Sequence, residues 1–326
     1  MSDELSAAKL AEEQEYTEKL EQLLILGLRA RPATDRKKRA LHPKALAGFH
    51  GAFTVLPDLP DNLKVGLFAR PATYEARLRF SNASAIVESD QKKGIRGLAI
   101  KLLDVPGTKL NTLPDGGDPG HDFILNSHPI MPIPDVKGFY EMTLNLAKGT
   151  ALRYFLNPFD PHPGVLLRLL ASAKSPDCPV ELRYWSMTPY RFGNDRFVKY
   201  SLVPTSAHAG PRIEKSTADY LGTAARSHIK HATATYDFMV QIRSDPRRMP
   251  LENATVDWDE HRAPFVPVAR LEIPKQEPTP EQEAAVEALR FSPWHALPEH
   301  EPVGGINRAR RRIYEKLSQV RLGKKG

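Results

Sequence analysis

Four arginines crowd into five positions, Arg308, Arg310, Arg311 and Arg312, and a single tyrosine, Tyr314, follows in "INRARRRIYEKLSQVRLG" (306–323). Such a run serves nucleic-acid phosphates, forms a solvated helix face, or serves the tyrosine. On a helix, Arg310, Tyr314 and Arg321 fall on one stripe, because intervals of four and seven return to the same side. A second group lies early in the chain: His42 in "RALHPK", and the strand-like "TYEARLRFS", where Arg79 and Ser81 share a face. Position makes the charge informative. Residues 301–326 hold eight Lys/Arg against Glu301 and Glu315, so +6 of the net +7 sits there and the rest is near balance.

Several chemistries lack their motif. No GxxxxGK[ST], GxGxxG, HExxH or GxSxG occurs, so phosphate loops, zincins and serine hydrolases have no support. The lone cysteine, Cys178, excludes an internal disulfide, a two-cysteine metal site and covalent CxxCH haem attachment. His228 and His231 in "SHIKHA" suggest a metal pair, but as part of a strand their spacing of three sends them to opposite faces, and no third ligand is near in sequence.

The elements that must position these residues are mostly strands. With 29 prolines and 20 glycines spread over 326 residues, short strands and loops are expected. Residues 4–29 read as an amphipathic helix and "RARPATDRKKRALHP" as a linker, giving an arm (1–34) on a single unit (35–326). Strands are expected across 48–126 and again at "ELRYWSMTPYRFG", "RFVKYSLVP", "ATATYDFMVQIRS" and "PFVPVARLEIP"; 135–173 and the stretch from Thr279 read as helical. The class is α+β: an antiparallel β unit with attached helices. No run of about 18 apolar residues exists, and the acidic N-terminus does not resemble a secretory leader, so the expectation is a cytoplasmic protein.

Three stretches, "RALHPKALAGFHGAF" (39–53), "ARLRFSNAS" (77–85) and "KGIRGLAIKLLD" (93–104), resemble, in order and spacing, the opening of the barrel in haem catalases. "DFILNSHPIMPIPD" (122–135) is similar to that family's Asn-Asn segment, and Arg310, Tyr314 and "RLG" from Arg321 match its proximal pattern. The resemblance implies a catalase-like β-barrel with an N-terminal helical arm, inserted helices and a C-terminal proximal helix. It further implies non-covalent haem b, with Tyr314 as iron ligand and Arg310 supporting its phenolate. The distal pair would be His42 and Ser81. Arg39, Arg79 and Arg321 would pair with the haem propionates, where a guanidinium fork suits a carboxylate. A phenol loses its proton in water only near pH of about 10, so a guanidinium neighbour and ferric iron would share that work.

The departures shape the expected activity. Asn126-Ser127 replaces Asn-Asn, leaving either Asn126 or Ser127 as the distal polar group, and Leu98 replaces a phenylalanine beside the haem. "EKLSQV" replaces a His- and Arg-rich segment, and the chain stops soon after "RLG", without the helical region and NADPH surface of long catalases. The expectation is a minimal catalase-like peroxidase. It would reduce hydrogen peroxide or an organic hydroperoxide through a ferryl intermediate, with an unknown small-molecule reductant and weak or absent dismutation. Two other readings stand beside it: rearrangement of fatty-acid hydroperoxides, as in allene oxide synthases, and a non-catalytic haem- or nucleic-acid-binding protein. The leading reading has no nucleic-acid partner and no integral membrane segment, and the N-terminal arm suggests a homo-oligomer, guessed as a dimer.

Overall fold

Alternation along the strands builds the core. In a computed structural model describing residues 5–35, 38–113, 116–156 and 161–322, Ala76, Leu78 and Phe80 are fully buried on one face of β2 (Thr73–Asn82). Its neighbours in the sheet are β1 (Ala45–Val55) and β3 (Arg96–Leu102), and β4 (His121–Asn126) follows on β3, all antiparallel. The sheet continues from β1 through β9 (Phe265–Ile273) and β8 (Ala234–Ile242) to β7 (Arg196–Pro204) and β6 (Tyr190–Phe192). A two-residue strand, β5 (Tyr184–Trp185), pairs with both β4 and β7 and so closes eight strands into a barrel. Closure removes the open edges that a flat sheet would expose. Aromatic rings fill the interior: Phe123 lies 4.5 Å from Phe238 and 5.2 Å from Tyr200, centroid to centroid.

Seven helices surround the barrel among the described residues. The first, α1 (Ala7–Arg29), starts at a Ser6 cap, whose side chain accepts from the Lys9 N–H. It packs on α2 (Val136–Ala147) and on the last helix, α7 (Gly305–Arg321), through Leu20, Leu24, Val136, Ala309 and Ile313. Between them in sequence come α3 (Ala151–Leu156), α4 (Pro163–Ser172), α5 (Tyr220–His231) and α6 (Pro280–Ala288). No helix is long and apolar enough to cross a membrane among the described residues.

Three expectations need correction. "SHIKHA" is the end of α5 and not a strand, so His228 is buried while His231 faces solvent and bonds the Ser227 carbonyl at 2.7 Å. The strand-like residues of β8 that follow had drawn the segment into the wrong class. "ELRYWSMTPYRFG" is two short strands broken at Met187, whose φ is 60°, and Pro189. The stretch from Thr279 is two helices separated by irregular backbone, with Pro293, Pro298 and Pro302 interrupting the pattern. Arg36, Lys37, Gly323, Lys324 and Lys325, counted above in the linker and basic tail, lie outside the described residues.

Candidate active site

The sheet register aligns two rungs on the outer face of the barrel wall. Ser81 stands opposite Gly97, and Gly97 opposite Asn126; one step along, Arg79 faces Ala99 and Ala99 faces Ile124. All six border one cleft, which with its open mouth encloses about 840 Å³ of free space. The register also decides between the two distal candidates. Asn126 is on the cleft face, whereas Ser127 lies past the strand end, accepting from the Arg96 N–H at 2.9 Å and donating its own N–H to the Arg96 carbonyl at 2.8 Å. Ser127 does not line the cleft, because the strand's two-residue alternation turns it away. Leu98 borders the cleft too, but it pairs with Phe80 and Leu125 and packs in the barrel core at 1% exposure.

His42 sits against this wall in the left-handed region, with φ of 55°, where residues other than glycine are uncommon. Its backbone is held on both sides: the N–H donates to Ser84 at 2.9 Å, and the carbonyl accepts from Arg79 Nη2 at 2.9 Å. Its ring Nδ1 is 3.0 Å from Ser81 Oγ, which in turn donates to the Gly97 carbonyl at 3.4 Å. That chain assigns the proton to Nδ1 and leaves Nε2 with a free lone pair. Gly97 makes room for the ring, since a Cβ there would meet Nδ1 at 2.5 Å and Ser81 Oγ at 2.8 Å. Burial pushes the His42 pKa down to about 3, with help from Arg79, Arg310 and Arg39, so the imidazole is neutral at physiological pH.

The opposite wall is α7, which turns Arg310, Tyr314, Leu317, Ser318 and Arg321 into the cleft. Arg310 lies 5.7 Å from the centre of the Tyr314 ring and donates to Asn307 Oδ1 at 3.2 Å and Thr188 Oγ1 at 3.5 Å. Ion pairs hold the helix from behind. Arg308 bonds Glu13 on α1 at 2.7 and 2.8 Å and Glu252 at 2.7 and 2.9 Å. Arg312 bonds Glu21 at 2.6 Å and Glu18 at 3.0 Å, and Arg311 sits 4.8 Å over the Trp294 ring. Each arginine of the run therefore has a partner within the chain, which removes the reason to read the run as a free phosphate-binding patch.

At the mouth the charge balance is different. Arg39 and Arg79 both pair with Glu287, just beyond β9 at the end of α6. Arg321 has no carboxylate there; it donates to the carbonyls of Glu287, Ala288 and Leu289 at 3.0–3.2 Å. Three guanidiniums thus share one carboxylate, with Arg290 also lining the cleft. Burial and the neighbouring Arg79 push the Arg39 pKa down to about 9, and burial lowers that of Arg321. Two further carboxylates would balance the three, and haem carries two, beside an apolar macrocycle that Leu41, Ile124, Phe291 and Leu317 would face. The residues present therefore fit haem.

The structure brings together His42, Ser81, Asn126, Arg39, Arg79, Leu98, Arg310, Tyr314 and Arg321, and leaves out Ser127. Sequence reasoning missed Gly97, Glu287, Arg290 and Phe291. Gly97 stood inside the quoted "RGLAIK" and could have been read as room for a ring. Glu287 stands in the last turn of α6, and Arg290 and Phe291 follow it in a segment with no pattern of its own.

Comparison with known proteins bears on the fold. No family profile matches the chain. A catalase-related peroxidase of Mycolicibacterium paratuberculosis (strain ATCC BAA-968 / K-10) is 29% identical over 221 residues, 63% of this chain and 65% of that protein. Among solved structures, a fungal catalase superposes with a TM-score of 0.68 at 18% identity, covering 90% of this chain and 60% of the catalase. Catalase A from Saccharomyces cerevisiae gives 0.68 at 18% identity, over 87% of this chain and 61% of that one. The chain thus spans a little under two thirds of the length of these proteins, and its fold is catalase-like.

Proposed function

We propose that this catalase-like chain is a haem-dependent peroxidase that reduces hydrogen peroxide or an organic hydroperoxide, with haem b held non-covalently and little dismutation. The observation that carries the reading is the pairing of two walls across one cleft: a neutral, oriented His42 on the barrel and Tyr314 on α7, beneath three arginines with a single carboxylate. Tyr314 would ligate the iron, and Arg39, Arg79 and Arg321 would take the propionates. The haem would supply the iron centre at which peroxide is reduced.

The remaining work belongs to the chain. His42 Nε2 takes the proton from the incoming peroxide and returns it to the departing oxygen, so the O–O bond is cleaved unequally. Ser81, through Nδ1, keeps the ring in the one tautomer that allows this. Asn126 offers an amide on the same wall, able to hold a hydroperoxide oxygen. Arg310 brings positive charge to within 5.7 Å of the centre of the Tyr314 ring. Residues 1–34 serve as an arm on the unit formed by 35–326, placing Tyr16, Leu20 and Leu24 behind α7.

The test is a haem titration of the purified chain, followed by peroxide with and without an oxidisable phenol. Expected are one bound haem with a high-spin ferric spectrum, phenol oxidation, and oxygen release that is slow beside it. Substituting Tyr314→Phe should strip most of the haem on gel filtration. Failure to bind haem, or full retention with an unaltered spectrum in the Tyr314→Phe chain, would refute the reading.

A further inference from the structure

The geometry points to a second site: a zinc-class divalent cation bound by Cys178, Glu181 and His228. The first two ligands stand at either end of a short 3₁₀ turn, with Cys178 as the residue before Pro179–Glu181. His228, the third, comes from the inner face of α5, and His208 from the loop after β7. The thiol sulfur, a Glu181 oxygen and a ring nitrogen of His228 all lie within 4.8 Å of one another. A tetrahedron built with Zn–S of about 2.3 Å and Zn–N of about 2.0 Å has edges of roughly 3.5 Å, so the three need only a small contraction.

Two observations mark this as a place for a cation. His228 is 1% exposed, yet neither ring nitrogen has a hydrogen bond, and Nδ1 lies 3.3 Å from Glu181 Oε1 in poor alignment for one. A buried imidazole left without partners at both nitrogens is costly, and ligation of one of them relieves that cost. His208 supports the Glu181 ligand. Its Nδ1 pairs with the same Glu181 oxygen and its Nε2 is 3.1 Å from the Gly210 carbonyl. This is an outer contact that orients a ligating carboxylate. The two imidazole centroids are 5.7 Å apart.

The donor set selects the ion. One thiolate, one imidazole and one carboxylate suit zinc, cobalt(II) and related borderline metals, whereas calcium and magnesium take oxygen alone. The thiol must lose its proton on binding; burial holds its pKa up at about 12 without metal, so affinity will rise with pH. Three protein ligands leave one position for water. The ion would pin the turn at 179–181 to α5, beside Tyr184 and Tyr236, whose hydroxyls already bond the Pro179 and Val180 carbonyls. His231, three residues on, has no part in it.

The experiment is zinc binding by the full chain after chelator treatment, read by elemental analysis and competition with a chromophoric chelator. Expected is one zinc per chain, with Cys178→Ser and His228→Gln each weakening binding by more than about 100-fold, since even an outer contact is worth about 10–100-fold. His231→Gln should bind as the parent does. Cobalt(II) added to the parent chain should give a near-ultraviolet thiolate charge-transfer band in the difference spectrum, where haem absorbance cancels. No zinc in the parent, undiminished zinc in Cys178→Ser, or cobalt binding without the thiolate band would each overturn the site. The cobalt reading holds even where a variant does not fold, and none of these depends on peroxide activity.

Discussion

The two walls of the cleft are built on opposite plans. On the barrel side, Ser81 and Asn126 stand on a hydrogen-bonded ladder whose register fixes their spacing, and His42, just before β1, is tied to it through Ser81, Ser84 and Arg79. On the helix side, Tyr314 is placed by a single element held from behind by Arg308 and Arg312 on carboxylates of α1 and by a small apolar cluster. Under the proposed function, the first plan gives a proton-handling group set by burial and hydrogen bonds, and the second a ligand whose position depends on screened, partly exposed charge. The barrel wall would then serve the chemistry and the helix wall the holding and release of the cofactor.

The sharpest way to break this division is His42→Ala. Peroxide-driven spectral change should slow about 10²–10⁴-fold, the usual worth of a positioned acid–base group, while haem stays bound. Loss of haem in that variant would show that the walls are not separable. The same contrast sets the pH dependence. Folded His42 titrates at about 3 against about 6.5 unfolded. Its neutral form therefore persists, and the rate should show no acid limb between about pH 8 and 5. The lowered pKa also means that stability is complete above about pH 6.5 and falls as pH drops toward about 3, because only the unfolded chain takes up the proton. Acid titration followed by circular dichroism checks the second part.

A smaller effect, about 10–100-fold in rate, is expected from Gly97→Ala, whose Cβ would push the His42 ring from its place; haem content should not change. At the mouth, Arg39→Leu should weaken haem binding about tenfold, the worth of one charge-assisted contact. It should leave the haem-free chain as stable or more so, because it relieves repulsion from Arg79 and Arg321. Arg308→Met should do the reverse. Stability should fall by about 1–2 kcal/mol, allowing for solvent screening of Glu13 and Glu252. Haem loss should quicken and become less salt-sensitive than in the parent, with the initial peroxide rate unaltered; denaturation curves and haem-transfer rates at two salt concentrations separate these outcomes.

What was readable in the sequence follows the same division. The barrel strands carry a period of two, so Ala76, Leu78 and Phe80 announced their face, and Arg79 and Ser81 the other. The stripe of Arg310, Tyr314 and Arg321 was readable from helical spacing. Choosing between Asn126 and Ser127 was not, because a strand end can slip by one residue until its partners are known, and those partners, Gly97 and Trp185, are distant in sequence. Glu287 was invisible for a similar reason: it belongs to the mouth only because α6 ends there. The misreading of "SHIKHA" as a strand had a further cost. It separated His228 from Cys178 and Glu181, which only the tertiary fold brings together.

The bond between Glu13 and Arg308 joins two helices 295 residues apart. During synthesis α1 emerges well before α7, so its acidic face stays bare until Arg308 has left the ribosome. The cleft follows the same clock, since its lining runs from Arg39 to Arg321. Shorter nascent forms therefore carry a barrel wall with nothing yet opposite it.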